Sequence, residues 1–191
     1  HLGIARQTEN GVELRVHPTL VPQRSLIAGV NDVLNAVMVN ADAVGTTLFY
    51  GPGAGSEPTA SSVIADIVDV ARNMDSYPDA WVPALGCKLT ALKEQPLLGI
   101  EEVETGFYIR FSALDKPGVL SNVTKIMADA GISIESIIQR DQPAGESYVN
   151  VIILTNVTKE KCLDEAVEHI EQLETVRGPV NFIRVEYLDQ A

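Results

Sequence analysis

Two glycine-bearing turns are the places in this chain where backbone amides can do chemistry. One is Gly51-Pro52-Gly53-Ala54-Gly55, running into Ser56-Glu57-Pro58; the other is Asp115-Lys116-Pro117-Gly118, running into Val119 and Leu120. A glycine just before a helix lets a ligand approach the backbone closely. The unpaired N–H groups of the first helical turn then offer a partial positive charge that suits a carboxylate or a phosphate. In the second turn Asp115 adds a carboxylate that either holds an α-ammonium group or caps the helix, and the residues alone leave both roles open. The first loop does not fit the dinucleotide fingerprint. That pattern is Gly-x-Gly-x-x-Gly between an early strand and a helix, with an acidic residue about 20 positions later.

Other chemistry is excluded by what the chain contains and how it is spaced. The three histidines (His1, His17, His169) are scattered, and Cys87 and Cys162 have neither metal-ligand nor redox spacing. No metal site is expected, and the cysteines read as reduced thiols of a cytoplasmic protein. A formal net charge of −12 argues against a nucleic-acid partner, which would need Lys and Arg to neutralise phosphates. The acidity reads as a solvated surface. The 46% hydrophobic and 21% charged content is ordinary for a soluble globular protein, with room for one or two domains in 191 residues. No apolar run approaches the roughly 20 residues needed to span a bilayer, and the apolar stretch Leu26–Val39 is broken by Asn31, Asp32 and Asn35. The chain starts at His1 rather than Met and carries no export signal, which suggests a fragment or a processed chain.

The elements that must position the two turns fall into three stretches. Residues 1–74 begin with alternating runs at His1–Arg6 and Val12–Val16 joined across Glu9-Asn10-Gly11, a hairpin signal of the type I′ kind. Ala36–Val39 and Thr46–Tyr50 predict a second strand pair, turning near Ala41–Gly45. A helix follows the Gly51–Gly55 loop, with Ser56 as its N-cap and Val63, Ile64, Ile67, Val68 and Ala71 as its apolar stripe. Residues 75–103 lose this regularity around Pro78, Pro83, Gly86, Pro96 and Gly99, and read as a linker between domains with room for short ordered pieces.

Residues 104–191 regain it. Phe107–Ala113 alternates as a strand. Val119, Leu120, Val123, Ile126 and Met127 share one helix face, stopped by Gly131. Ile132–Gln139 is a strand, Gln142–Gly145 a turn, and Tyr148–Leu154 another strand. A helix capped by Thr158, with an incomplete capping box at Lys161, carries Leu163, Val167, Ile170 and Leu173 toward the core. Gly178-Pro179 breaks the pattern, and Val180–Leu188 is the last strand. The predicted order β-α-β-β-α-β is the ferredoxin-like split βαβ arrangement, an α+β fold.

Within that order, Leu114-Asp115-Lys116-Pro117-Gly118-Val119-Leu120-Ser121-Asn122-Val123 resembles the opening signature of ACT domains. Ile132-Ser133-Ile134-Glu135-Ser136-Ile137-Ile138-Gln139 resembles their second strand. The resemblance implies a small amino acid held where two such domains meet. Asp115, Gly118, Val119, Leu120 and Asn122 of one domain would face Ile134, Ser136 and Ile137 of a partner. For an apolar member such as Ile134, a place in the core is the commoner reading.

The first stretch resembles homoserine dehydrogenases. The resemblance rests on Val16-His17-Pro18-Thr19-Leu20-Val21-Pro22, Asn31–Val39 with Asn35-Ala36-Val37, Asp42-Ala43-Val44-Gly45, and the run from Phe49 to Ser61. It implies the end of a mixed-sheet catalytic and dimerisation domain over 1–74, a linker over 75–103 and an ACT regulatory domain over 104–191. It further implies an oxidoreductase interconverting aspartate semialdehyde and homoserine with NADP or NAD, on the route to threonine and methionine. Gly51, Gly53, Ala54 and Gly55 become candidate backbone contacts to that cofactor. The family's dinucleotide-binding domain and catalytic lysine lie upstream of the matched part, so no catalytic residue is nominated here. L-threonine is the expected effector, and a homo-oligomer, dimer or tetramer, the expected assembly. The rival expectation is a stand-alone amino-acid-binding module whose first segment serves only dimerisation. An RNA-binding ferredoxin-like domain fails on charge and on the absence of basic and aromatic stacking residues in the module's first and third strands.

Overall fold

A computed structural model of the chain describes residues 1–74, 86–139 and 146–188. The turn expected at Gln142–Gly145, and Pro78 and Pro83 of the expected linker, lie outside the described residues.

The strands and helices are β1 (Leu2–Thr8), β2 (Gly11–His17), β3 (Thr19–Leu20), β4 (Leu34–Ala41), β5 (Gly45–Pro52), α1 (Ser56–Asn73), β6 (Glu104–Leu114), α2 (Val119–Asp129), β7 (Ile134–Gln139), β8 (Tyr148–Thr155), β9 (Thr158–Lys159), α3 (Glu160–Glu171) and β10 (Val176–Val185). They divide into two compact units, one joining His1–Pro22 to Gln95–Tyr187 and the other built mainly from Gln23–Glu94. The sequence places its first boundary near residue 74, whereas the first compact segment ends at Pro22.

In the first unit the sheet order is β3-β10-β6-β8-β7, with β10, β6, β8 and β7 paired antiparallel. The strands and two helices from β6 to β10 give the expected β-α-β-β-α-β order. β3 adds to its edge, parallel to β10 through Arg184↔Thr19 and Val185↔Leu20. The core forms where alternate residues of β6 (Phe107, Ile109, Phe111, Ala113) and β8 (Val149, Val151, Ile153) meet Val119, Val123 and Met127 of α2 and Leu163, Ala166 and Ile170 of α3. These are the periods of two and 3.6 that the sequence shows, brought face to face. Gly131, at φ +74°, ends α2 as expected, and the Ile132 N–H donates to the Met127 carbonyl at 2.8 Å.

Three local expectations change. The β1–β2 hairpin forms, but Thr8 pairs with Gly11, leaving Glu9 and Asn10 as the turn, and Asn10 does not take a positive φ. The turn is therefore not type I′; the Thr8 hydroxyl holds it instead, accepting from the Asn10 N–H and donating to the Gly11 carbonyl. Thr158 belongs to β9, and Lys159 stands at the N-cap of α3 with no side-chain cap. Gly178-Pro179 lies inside β10, as a bulge between Arg177 and Asn181 that gives the prolyl nitrogen a place without a ladder bond.

The end of the expected linker is also more ordered than a spacer. Val12 and Leu98 donate to the Pro96 and Val12 carbonyls, and Val103 is buried. Gly11 stands against this strap, since a Cβ there would lie 2.4 Å from the Pro96 carbonyl oxygen.

In the second unit β4 and β5 pair from Leu34↔Pro52 to Ala41↔Gly45, as the alternation predicts. The 18-residue α1 follows, and none of its residues is buried. The expected stripe of Val63, Ile64, Ile67 and Val68 exists as a face, exposed in this chain.

Candidate functional site

The Asp115–Gly118 turn links the end of β6 to α2 and borders a cavity of about 160 Å³. The turn is fixed by its backbone. The Leu114 N–H donates to the Thr175 carbonyl at 2.8 Å, and the Asp115 N–H donates to the Ser147 carbonyl at 3.0 Å. Gly118 caps α2 at φ +90°, a left-handed conformation that glycine adopts without strain, and no side chain caps the helix. The space beside its Cα is open. The first-turn amides of an eleven-residue helix thus border the cavity with no side-chain acceptor over them.

Ala113, Val149 and Val151 give this cavity apolar walls, while Asp115, Lys116 and Gln139 supply its polar groups. The Asp115 carboxylate is not a helix cap; it accepts a hydrogen bond from Gln139 Nε2 at 3.0 Å. An anion-favouring helix terminus, a carboxylate and an apolar wall within one small cavity match the carboxylate, ammonium and side chain of a small α-amino acid.

Of the residues expected at this site, Asp115, Gly118, Val119 and Leu120 line the cavity together. Asn122 lies one turn along α2 and does not. Ile134 is partly buried and packs against the core. Ser136 and Ile137 are exposed on β7, the last strand of its sheet, away from the cavity of their own chain. Gln139 was missed as a site residue. Its signal was available only as a polar residue closing an otherwise apolar strand, and its pairing with Asp115 depends on β7 and β6 flanking β8.

The other candidate residues fall at the end of β5 and the start of α1. Gly51 pairs with Asn35 inside the hairpin. Gly53 sits so close to Asn35 that a Cβ would lie 2.6 Å from its Nδ2. Gly55, at φ +119°, is the N-cap of α1, so Ser56 is the first helical residue rather than the cap. Gly53, Ala54 and Gly55 are exposed, and no side chain caps the helix, so the loop can present backbone amides to an anionic group. Among the described residues no group of His, Cys, Asp and Glu is placed to hold a metal ion, and no helix is long and apolar enough to cross a membrane.

The β-α-β-β-α-β order and the turn into α2 define an ACT-type module, and the ACT domain family matches residues 107–175. The homoserine dehydrogenase family matches residues 1–68. Homoserine dehydrogenase of Pseudomonas aeruginosa is 53% identical over 189 residues, 99% of this chain and 44% of that protein. That of Neisseria gonorrhoeae is 44% identical over 98% of this chain and 43% of its own length. The crystal structure of a homoserine dehydrogenase from Thiobacillus denitrificans superposes with a TM-score of 0.88 at 50% identity, over 97% of this chain and 42% of that one. The chain belongs to the homoserine dehydrogenase family, matching the C-terminal part of its members together with their ACT domain, and spans less than half the length of these relatives.

Proposed function

We propose that this chain supplies the end of the catalytic part and the effector module of a homoserine dehydrogenase. The whole enzyme interconverts aspartate semialdehyde and homoserine, on the route to threonine and methionine, in the cytoplasm. Identity of 53% over 99% of the chain, with both family segments in one polypeptide, carries this reading. It also disfavours a stand-alone module, since residues 1–68 match an enzyme rather than a bare dimerisation arm.

The effector is L-threonine, bound in the cavity beside Gly118. Its α-carboxylate meets the first-turn amides of α2, its ammonium group replaces the Gln139 amide on Asp115, and its side chain rests against Ala113, Val149 and Val151. Ser136 and Ile137, on the free edge of β7, face the same ligand from a second copy in a dimer or tetramer.

The Gly51–Gly55 loop and the start of α1 fit a nicotinamide dinucleotide, NADP or NAD, through backbone atoms, because Gly53 and Gly55 leave no room or conformation for side chains there. The bound nicotinamide supplies the hydride chemistry. Threonine can inhibit only by binding one state of the enzyme more tightly than the other.

The test is a calorimetric titration of the intact enzyme with L-threonine, with L-serine and L-homoserine as controls, beside an assay of aspartate-semialdehyde reduction. Saturable binding that inhibits reduction and is lost in Gly118→Val is the expected result. Binding without any effect on rate would remove the regulatory role, and absence of reductase activity would remove the enzymatic one.

A further inference from the structure

The β1–β2 hairpin belongs to the homoserine dehydrogenase segment, yet it is built into the unit that holds the amino-acid cavity. It is also built inside out. Glu13, Arg15 and His17 of β2 are buried, while Leu14 and Val16 between them are exposed, Val16 at 78%.

Beneath β2 the charges balance. Arg15 Nη1 lies 2.5 Å from Glu186 Oε1, and Arg15 Nη2 lies 3.3 Å from Glu13 Oε2. Arg6 Nη2 lies 3.1 Å from Glu186 Oε2, and Arg6 Nη1 lies 3.6 Å from Glu13 Oε2. Arg15 Nη1 also donates to His17 Nε2 at 3.0 Å, while His17 Nδ1 lies 3.0 Å from the Pro18 carbonyl. Stability alone does not explain such a network. Apolar residues usually do as well at a buried position, and β2 carries them one residue out of phase. What a buried ion pair does supply is two discrete states, made and broken.

Its position links it to the cavity. Glu186 follows directly on β10, and its N–H donates to the Leu20 carbonyl of β3 at 2.9 Å. At the other end of β10, Val176 pairs with Ala113 of the cavity wall, and Thr175 accepts from the Leu114 N–H. One strand therefore runs from the effector cavity to the ionic network and the paired β3. We propose that the Arg15–Glu186 pair is the coupling element through which occupancy of the cavity acts on the homoserine dehydrogenase segment. This rests on the amino-acid-binding reading given above. Movement of the cavity wall shifts β10, and the buried pair passes the shift to β2 and β3.

The test uses the intact enzyme, with L-threonine as the probe, and compares wild type with the double variant Arg15→Met/Glu186→Leu. Removing both partners leaves Arg6 paired with Glu13, so the buried charge stays balanced. The double variant is expected to keep its basal rate and to bind threonine saturably in calorimetry. Its residual activity at saturating threonine should rise about fivefold or more over wild type, the low end of an ordinary allosteric coupling. Glu186→Gln, which keeps an acceptor for Arg15, should fall between the two and carries the test if the double variant does not fold.

Full inhibition of the folded variants would overturn the proposal, as would loss of binding and inhibition in parallel, which marks a merely structural role. Failure of wild type to bind threonine, or to respond to it, would instead overturn the amino-acid reading, and the coupling with it.

Discussion

The two compact units handle the same kind of amphipathic sequence in opposite ways. In the first, α2 and α3 press their apolar faces onto β6 and β8, and Phe107, Val123, Ile153 and Ile170 are fully shielded from solvent. In the second, α1 carries an equally regular stripe, yet Ile64 is 58% and Ile67 57% exposed, as are Phe49 and Val37 of the neighbouring hairpin. Periodicity thus reports which face of an element is apolar, and says nothing of where the surface that covers it comes from. The ACT module contains its own partner surfaces, whereas α1 and the β4–β5 hairpin present theirs uncovered in this chain.

Substitutions can break or sharpen that contrast. The largest effect is expected in the closed core: Phe107→Ala should cost about 3–5 kcal/mol in equilibrium denaturation, through lost burial and the cavity left behind. Smaller, but still substantial, is Gly11→Ala. At φ +144°, with a Cβ 2.4 Å from the Pro96 carbonyl, it should cost about 1–3 kcal/mol by the same measurement, loosening the hairpin from the strap at 96–98. Ile67→Ala on α1 should change the stability of this chain by no more than about 0.5 kcal/mol. A loss approaching that of Phe107→Ala would mean that the α1 face is covered in solution, and the contrast between the units would fail.

The smallest effect is electrostatic. Hydrogen bonds from Lys159 and then Lys161 hold the Glu102 carboxyl well below its ordinary 4.5, at about 2. A lowered carboxylate pKa favours the folded state above the unfolded value, and that contribution disappears as pH falls from about 4.5 toward about 2. Thermal unfolding midpoints followed across that window should fall less steeply in Glu102→Gln than in wild type. Identical slopes would show that these exposed lysines exert no net pull on Glu102.

Much of the first unit could be read along the chain because its signals are local. The alternation of Phe107–Ala113, the helix face from Val119 to Met127 and the stop at Gly131 all act within one or two turns of backbone. The same holds for the turn at Asp115–Gly118, where a proline followed by a left-handed glycine fixes the geometry. Local signals misled where a long-range contact decided the outcome. Thr158 reads as a helix cap until β9 pairs it with Thr105 of β6. Gly178-Pro179 reads as a break until β6 absorbs it as a bulge in β10.

The site was half legible for the same reason. Asp115, Gly118, Val119 and Leu120 are consecutive enough to announce themselves, but Gln139 reaches Asp115 only because β8 lies between their strands. The burial of Glu13, Arg15 and His17 runs against every hydropathy rule and makes sense only once Glu186, 171 positions beyond Arg15, is brought beneath them.

By itself, then, the sequence determined the order of elements, the Asp115–Gly118 turn beside the cavity, and the two family segments. Backbone propensities, glycine conformations and side-chain periodicity act over a few residues and need no knowledge of the rest of the chain. Only the tertiary structure decided that residues 1–22 side with the ACT module, that Gln139 closes the cavity, and that a charged network, not the adjacent apolar residues of β2, faces inward. Those outcomes depend on desolvating groups far apart in sequence at the same moment, and the balance is struck in space.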